Sequence, residues 1–201
     1  MKTILRSQPL LWLALALPGA WMLASWWATP DLYGYGHIIG DSGDWAAWLL
    51  MATLAVTPIR LAFRRSRIAQ YLMRRRRDLG VASFAYAAGH TIIYLWRKSD
   101  PAIIWDEVST PYILAGWIAF ALFVPLAITS NDASMRKFKR GWKRLHRLVY
   151  PATVLVFVHW ALSAFDPTTA TINIAILAAI EIVRVWLQWR QKRPASASVR
   201  A

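Results

Sequence analysis

The sequence has no cysteine among its 201 residues. The chain can therefore form no disulfide bond and no thiolate metal site, and it cannot attach a c-type haem through a Cys-x-x-Cys-His motif. Any haem in such a chain is held without a covalent bond, with histidine or methionine as the iron ligand.

Acidic residues are scarce as well. Ten Asp and Glu residues stand against 24 Lys and Arg residues, which gives a formal net charge of +14. The basic residues are clustered between apolar runs instead of lying along one polar face, so we expect no nucleic-acid partner. We expect a chain surrounded by membrane lipid, with the basic clusters setting its orientation.

Apolar residues are abundant, at 57% of the chain with 13 Trp and a mean hydropathy of +0.34. Six apolar segments have about the 17 to 25 residues that a bilayer requires. They are residues 9–28, 44–63, 79–96, 111–129, 148–165 and 169–189. The sequence predicts an all-α polytopic membrane protein, a six-transmembrane-helix bundle within residues 1–193, followed by a flexible C-terminal tail at 194–201. The first segment is long enough to act as an uncleaved signal anchor.

Basic and acidic residues alternate between the connections of these segments. The basic residues outside the segments, or near their ends, are Lys2, Arg6, Arg60, Arg64, Arg65, Arg67, Arg74 to Arg77, Arg136, Lys137, Lys139, Arg140, Lys143, Arg144, Arg147, Arg190, Lys192, Arg193 and Arg200. The intervening loops carry Asp31, Asp41, Asp44, Asp100, Asp106, Glu107 and Asp166, with only Arg97 and Lys98 beside them. The positive-inside rule then predicts that both termini and the two basic loops face the cytoplasm.

Two histidines, His90 and His159, lie inside apolar segments at matching depth. His90 is twelve residues beyond Asp78, about 18 Å of helix, and His159 is thirteen residues beyond His146, about 19.5 Å. Both positions are near the middle of a hydrocarbon core of about 30 Å, where ionisable side chains are costly. Two axial imidazoles on one haem iron would explain the pair, and such a haem would carry electrons. The alternative is a pair of neutral histidines that link neighbouring helices by hydrogen bonds.

The other polar candidates leave alternatives open. His146, near the inner end of the fifth segment, is either a ligand of a second haem or a surface histidine on a basic loop. On a straight helix, thirteen residues turn through about 220°, so His146 and His159 do not share a face unless Pro151 changes the phase. We expect His37 to be structural or solvent-facing. Glu181 and Arg184 are spaced for a local ion pair, with quinone or flavin contact as the alternative.

Spaced motifs over almost the whole chain resemble one known family. The residues that carry the resemblance are Met51-Ala-Thr-Leu-Ala-Val-Thr-Pro-Ile-Arg60, Arg77-Asp-Leu-Gly80 with Phe84, Tyr86, His90 and Tyr94, and Thr129-Ser130 with Met135, Gly141, Trp142, Leu145-His146, Tyr150 and His159. They resemble the MsrQ (YedZ) family of haem-binding membrane subunits of the bacterial periplasmic protein-methionine-sulfoxide reductase system. That family lies within the ferric-reductase-like transmembrane proteins.

The resemblance implies haem b, bound FMN and a location in the bacterial inner membrane. It implies that the quinone pool or a cytoplasmic flavin reductase donates electrons, and that a periplasmic molybdenum-containing methionine-sulfoxide reductase subunit receives them. His90, His146 and His159 match the family's histidine positions, with His146 and His159 as alternative ligands opposite His90. The resemblance implies an electron-transfer subunit with no catalytic residue for the final substrate. The rival hypotheses are a stand-alone transmembrane ferric or quinone reductase, and a haem-free transporter or assembly factor.

Overall fold

The computed structural model describes residues 8–163 and 167–192, and these residues form helices and connecting segments without a strand. The helices are α1 (Gln8–Ala28), α2 (Tyr35–Ala62), α3 (Arg67–Lys98), α4 (Pro101–Glu107), α5 (Pro111–Ile128), α6 (Asp132–Phe138), α7 (Arg140–Leu145), α8 (Val149–Ser163) and α9 (Pro167–Lys192), with a 3-10 turn at His146–Leu148 between α7 and α8. The all-α prediction is confirmed. The predicted C-terminal tail, the positions of Lys2 and Arg6 and the turn at Asp166 lie outside the described residues.

Six helical stretches are long and apolar enough to cross a membrane, as the sequence predicts. They are Gln8–Ala28, Tyr35–Ala62, Arg67–Lys98, Pro111–Ile128, Arg140–Ser163 and Thr168–Gln191. Two helices begin many residues before their apolar segments: α2 at Tyr35, nine residues earlier, and α3 at Arg67, twelve residues earlier. Hydropathy marks only the part of a helix that lies in hydrocarbon, whereas a helix continues until its caps. The Ser66 hydroxyl caps α3 by accepting the N–H of Ala69, so the arginines 74–77 lie within α3 and not in a loop.

Two helix pairs dominate the packing, α2 with α3 and α5 with α8, and α9 packs on α2. We call the end of the bundle that holds residues 60–77 and 129–147 the basic end, and the end that holds residues 29–34 and 99–110 the acidic end. At the basic end, Arg76 donates to the carbonyl of Thr53 at 3.1 Å and joins α3 to α2. The predicted pair of Glu181 and Arg184 forms within α9 at 3.0 Å.

A tyrosine hydroxyl joins α1 to the rest of the bundle. Pro18 lies inside α1 and cannot donate a backbone hydrogen bond. One residue later, the Tyr86 hydroxyl accepts the Gly19 N–H at 2.8 Å and donates to the Leu15 carbonyl at 2.8 Å. In an uninterrupted helix, an N–H and a carbonyl four residues apart bond to each other. The Tyr86 hydroxyl therefore bridges this pair and fixes α1 against α3.

Candidate metal centre

His90 on α3 and His159 on α8 face each other across the interior of the bundle. Their ring centroids are 6.0 Å apart and their planes are nearly perpendicular, at 87°. Metal bonds of about 2.0 to 2.1 Å to both Nε2 atoms would hold the ring centres roughly 6.4 to 6.6 Å apart, since each nitrogen lies about 1.2 Å from its ring centre. The observed 6.0 Å is about 0.5 Å shorter, so a small movement of the rings would place one metal ion between the two imidazoles.

Each imidazole is oriented by a backbone carbonyl of the paired helix. Nδ1 of His90 lies 2.9 Å from the Ile39 carbonyl on α2, and Nδ1 of His159 lies 2.7 Å from the Tyr112 carbonyl on α5. A carbonyl only accepts, so both Nδ1 atoms carry the proton. A neutral ring then keeps its lone pair on Nε2, and this second hydrogen bond fixes ring orientation and tautomer as it does for metal-bound histidines.

Two glycines make room for the rings. A Cβ atom on Gly43 of α2 would lie 3.2 Å from Nδ1 of His90, and one on Gly116 of α5 would lie 2.9 Å from Nδ1 of His159. Each glycine follows its accepting carbonyl by four residues, so the two helix pairs use the same arrangement of carbonyl, glycine and histidine. Sequence reasoning missed both glycines. The sequence feature that could have identified them is a glycine within an apolar helix, because such a glycine often lets a neighbouring helix or its side chains approach the backbone closely.

Both histidines line one cavity of about 910 Å³, which is within the size range of ligand and cofactor sites. On the side of the acidic end, its lining is polar and includes Tyr35, Tyr94, Arg97, Lys98, Glu107, Tyr112 and Ser163. On the side of the basic end, its lining is mostly apolar, with the carboxylate of Asp44 as an exception, and includes Ala46, Ala47, Ala87, Ala119, Phe120, Phe123 and Val156. The cavity therefore suits a ligand with one polar and one apolar edge.

A small ion-pair network stands where the cavity meets the acidic end. Lys98 pairs with Glu107, and the Tyr94 hydroxyl donates to the other oxygen of the same carboxylate at 2.9 Å. The Lys98 hydrogen bond, followed by the Tyr94 hydrogen bond, holds the pKa of Glu107 below its usual range. This network joins α4 to the end of α3.

Two imidazoles alone are few ligands for a bare metal ion. Structural and catalytic zinc sites, for example, use three or four protein ligands. Within residues 8–163 and 167–192, no group of three or more His, Asp or Glu side chains could hold a metal ion. The facing pair therefore suits a metal whose remaining ligands belong to a macrocycle, as the iron of haem does.

The structure places the other two histidines away from this cavity. Nε2 of His146 lies 3.0 Å from the Thr129 hydroxyl, which itself donates to the Pro125 carbonyl at 2.6 Å. The Trp142 ring stacks on the His146 ring with centroids 3.8 Å apart. His146 thus belongs to a cluster at the basic end and is not brought together with His90 and His159. His37 is exposed and stacks on Tyr33 at 5.5 Å, in agreement with the expectation of a structural or solvent-facing residue.

Comparison with known proteins identifies the family of the chain. Residues 42–157, which include His90, match the family model described as "Ferric reductase like transmembrane component". The chain is 40% identical over 156 residues to the "Protein-methionine-sulfoxide reductase heme-binding subunit MsrQ" of Xanthomonas campestris pv. campestris (strain B100), covering 76% of this chain and 70% of that protein. The chain belongs to the MsrQ family.

Further MsrQ proteins match over more of the chain. The MsrQ of Ralstonia nicotianae is 38% identical over 173 residues, 81% of this chain and 78% of that protein. The MsrQ of Xanthomonas axonopodis pv. citri is 34% identical over 194 residues, 92% of this chain and 85% of that protein. No solved structure matches the chain significantly.

Proposed function

We propose that this chain is the membrane electron-transfer subunit of a methionine-sulfoxide reductase system and that His90 and His159 hold one haem b. The proposal is carried by the two facing imidazoles, 6.0 Å apart, each with Nδ1 bonded to a carbonyl. The relatives named as haem-binding subunits of protein-methionine-sulfoxide reductase support the same function. His146 is not included in this ligand set, because it does not line the cavity and instead contacts Thr129 and Trp142 at the basic end.

The protein's own groups determine what such a site can do. Bound haem supplies one-electron oxidation and reduction. His90 and His159 would hold the haem iron from two sides, and a haem held this way would supply electron transfer rather than binding of a substrate at the metal. The Ile39 and Tyr112 carbonyls hold the rings, and the apolar side of the cavity limits access of water. We infer an electron-transfer subunit and not the catalytic subunit.

We further propose the direction of electron flow from the charge of the two ends. The basic end faces the cytoplasm of a bacterial inner membrane, where electrons arrive from the quinone pool or from a cytoplasmic flavin reductase. Its cations would attract the phosphate of FMN, the flavin that the family resemblance implies. The acidic end faces the periplasm, where Asp31, Asp100 and Asp106 are available to steer docking of a molybdenum-containing reductase subunit.

Reporter fusions test this orientation. Fusions after Arg77, after Arg140 and at the C-terminus are expected to report a cytoplasmic location, and fusions near Asp41 and Asp106 a periplasmic one. A periplasmic signal from either basic loop would reverse the proposed direction.

Reconstitution tests the function. The purified protein is reduced with quinol or reduced flavin, and reoxidation is followed by its visible spectrum. Reoxidation is expected to accelerate only when both the periplasmic molybdenum subunit and an oxidised methionine protein are added. Equally fast reoxidation by ferric chelate without a partner would instead support a stand-alone ferric reductase. A protein that contains no haem would support a transporter or assembly factor.

A further inference from the structure

The cavity around His90 and His159 is more polar at one end than at the other. From the basic end to the acidic end, its lining changes from mostly alanine and phenylalanine, with one carboxylate at Asp44, to tyrosines together with Arg97, Lys98 and Glu107. Haem b has a similar asymmetry, with two carboxylates on one edge and hydrocarbon substituents on the opposite edge. A carboxylate placed among apolar side chains loses its hydration without a compensating partner, which is unfavourable. The cavity therefore favours a haem whose carboxylate edge points towards the acidic end over one whose carboxylate edge points towards the basic end.

Helix α3 presents its polar residues on the same face as His90. Tyr94 follows His90 by four residues and Arg97 follows it by seven, which correspond to rotations of about 400° and 700°, or 40° and −20° from His90. Arg97 therefore lies directly above His90 along the helix, about 10.5 Å nearer the acidic end. Its position, two turns away on the same face, suits contact with the rim of a macrocycle centred between the histidines.

Arg97 differs from the neighbouring cation in its partners. Among the described residues that line this cavity, the cationic side chains are Arg97 and Lys98. Lys98 is neutralised by Glu107. The Arg97 guanidinium stacks over the Tyr35 ring at 5.6 Å, and the ion pairs found in residues 8–163 and 167–192 give it no carboxylate. Arg97 thus has hydrogen-bond donors and charge available for an anionic ligand.

We propose that the Arg97 guanidinium binds a carboxylate of the haem and thereby fixes the carboxylate edge towards the acidic end. This inference rests on the proposed function, because it requires haem between His90 and His159. The Tyr35 ring stacks on the Arg97 guanidinium. The ion pair of Lys98 and Glu107 holds α4 next to the end of α3 that carries Arg97. Arg97 is a binding residue that determines orientation, and it is not an iron ligand.

Haem dimethyl ester provides a direct test, because its carboxylates carry no charge. The full-length protein is purified without haem from haem-deficient cells as wild type, Arg97→Gln, Arg97→Lys and the control Arg140→Gln, which alters an exposed arginine at the basic end. Each protein is titrated with ferric haem and with its dimethyl ester, and binding is followed by the absorbance of the low-spin, bis-histidine form. That absorbance also shows that a variant still folds around the histidine pair.

Wild type is expected to bind haem about tenfold or more tightly than the ester, the size expected for one hydrogen bond between charged groups. Arg97→Gln should bind the two equally within about twofold, since the cation proposed to bind the haem carboxylate is gone and Lys98 is already paired with Glu107. Arg97→Lys should retain most of the preference, and Arg140→Gln all of it. A preference in Arg97→Gln as large as in wild type, or no preference in wild type, would overturn the inference while leaving haem binding intact. If wild type binds neither form, the proposed function fails as well.

Discussion

The histidines of the cavity and the histidine of the basic end are bonded through opposite nitrogen atoms. At His90 and His159 the bonded atom is Nδ1, and a backbone carbonyl accepts, so Nε2 keeps its lone pair. At His146 the bonded atom is Nε2, and the Trp142 ring covers one face of the imidazole. Residue type alone therefore does not identify a metal ligand. The two regions differ in what each imidazole faces: His90 and His159 face each other across the cavity, whereas His146 contacts Thr129 and Trp142.

The two regions also share a feature, since each has a short helix fixed by one ion pair. Beside the cavity, Lys98 and Glu107 join α4 to α3. Near His146, Arg77 and Asp132 join α6 to α3, and the pKa of Asp132 lies below its usual value because of the Arg77 hydrogen bond. The pair of Arg77 and Asp132 is exposed and the pair of Lys98 and Glu107 is half-buried, and ion pairs accessible to solvent contribute little to stability. The difference between the regions therefore lies in their histidines and not in how they are fixed.

Removal of either cavity histidine should have the largest effect. We expect His90→Ala and His159→Ala each to abolish the low-spin haem spectrum of the purified protein, because one axial ligand cannot maintain a six-coordinate iron. His37→Ala is the control, since His37 is exposed and lies outside the cavity. A normal low-spin spectrum in His90→Ala would show that the cavity pair does not bind the iron.

Crowding a ring should have the next largest effect. In Gly116→Ala the new methyl group would lie 2.9 Å from Nδ1 of His159, so the ring or the helix must move. Overpacking of this kind costs about 1 to 3 kcal/mol, and we expect haem content to fall roughly fivefold to a hundredfold. Gly43→Ala should have a smaller effect, because its contact is 3.2 Å.

Gly89→Ala is the matched control for these two variants. Gly89 immediately precedes His90, but a Cβ atom there would meet nothing within 4 Å. We expect unchanged haem content and a more stable α3, by up to about 1 kcal/mol from helix propensity. Haem loss in Gly89→Ala, or normal haem in Gly116→Ala, would show that close packing does not position the rings.

Substitution of His146 should have an intermediate effect and would sharpen the contrast between the two regions. We expect His146→Ala to keep the low-spin spectrum of the cavity site while the protein loses about 1 to 2 kcal/mol of stability, from the Thr129 hydrogen bond and the Trp142 stacking. Thermal unfolding and the visible spectrum of the same sample measure the two effects. Complete loss of haem would instead assign His146 as the ligand opposite His90.

Acidification should have the smallest effect and should act on α4. Because its pKa is lowered in the folded protein, the Glu107 carboxylate contributes fully above its ordinary pKa of about 4.3, and the contribution is lost as the pH falls through the lowered pKa. The measurement is the tryptophan fluorescence during acid titration, because Trp105 is exposed on α4 and should respond to this change. The same titration of Glu107→Gln shows the signal of the other tryptophans. The variant should show no such acid transition. A transition of equal size in both proteins would exclude Glu107.

The sequence predicted the spans and the histidine pair because both depend on local properties. Apolar length determines a span, and rise per residue places His90 and His159 at matching depth. The roles of Gly43 and Gly116 were not predictable, because they depend on which helix packs against each histidine. The partners of His146 depend likewise on how Trp142 folds back onto Thr129. Hydropathy could not locate the start of α3 at Arg67, because the arginines continue the helix beyond its apolar part.

Electron paramagnetic resonance of the oxidised protein tests the central claim most directly, because the spectrum of a low-spin ferric haem depends on both axial ligands and on the angle between their planes. The rings of His90 and His159 are 87° apart. We predict one strongly anisotropic low-spin signal, as perpendicular imidazoles produce, that is present in wild type and in His37→Ala and absent from His90→Ala and His159→Ala. Survival of that signal in either cavity variant would contradict the account.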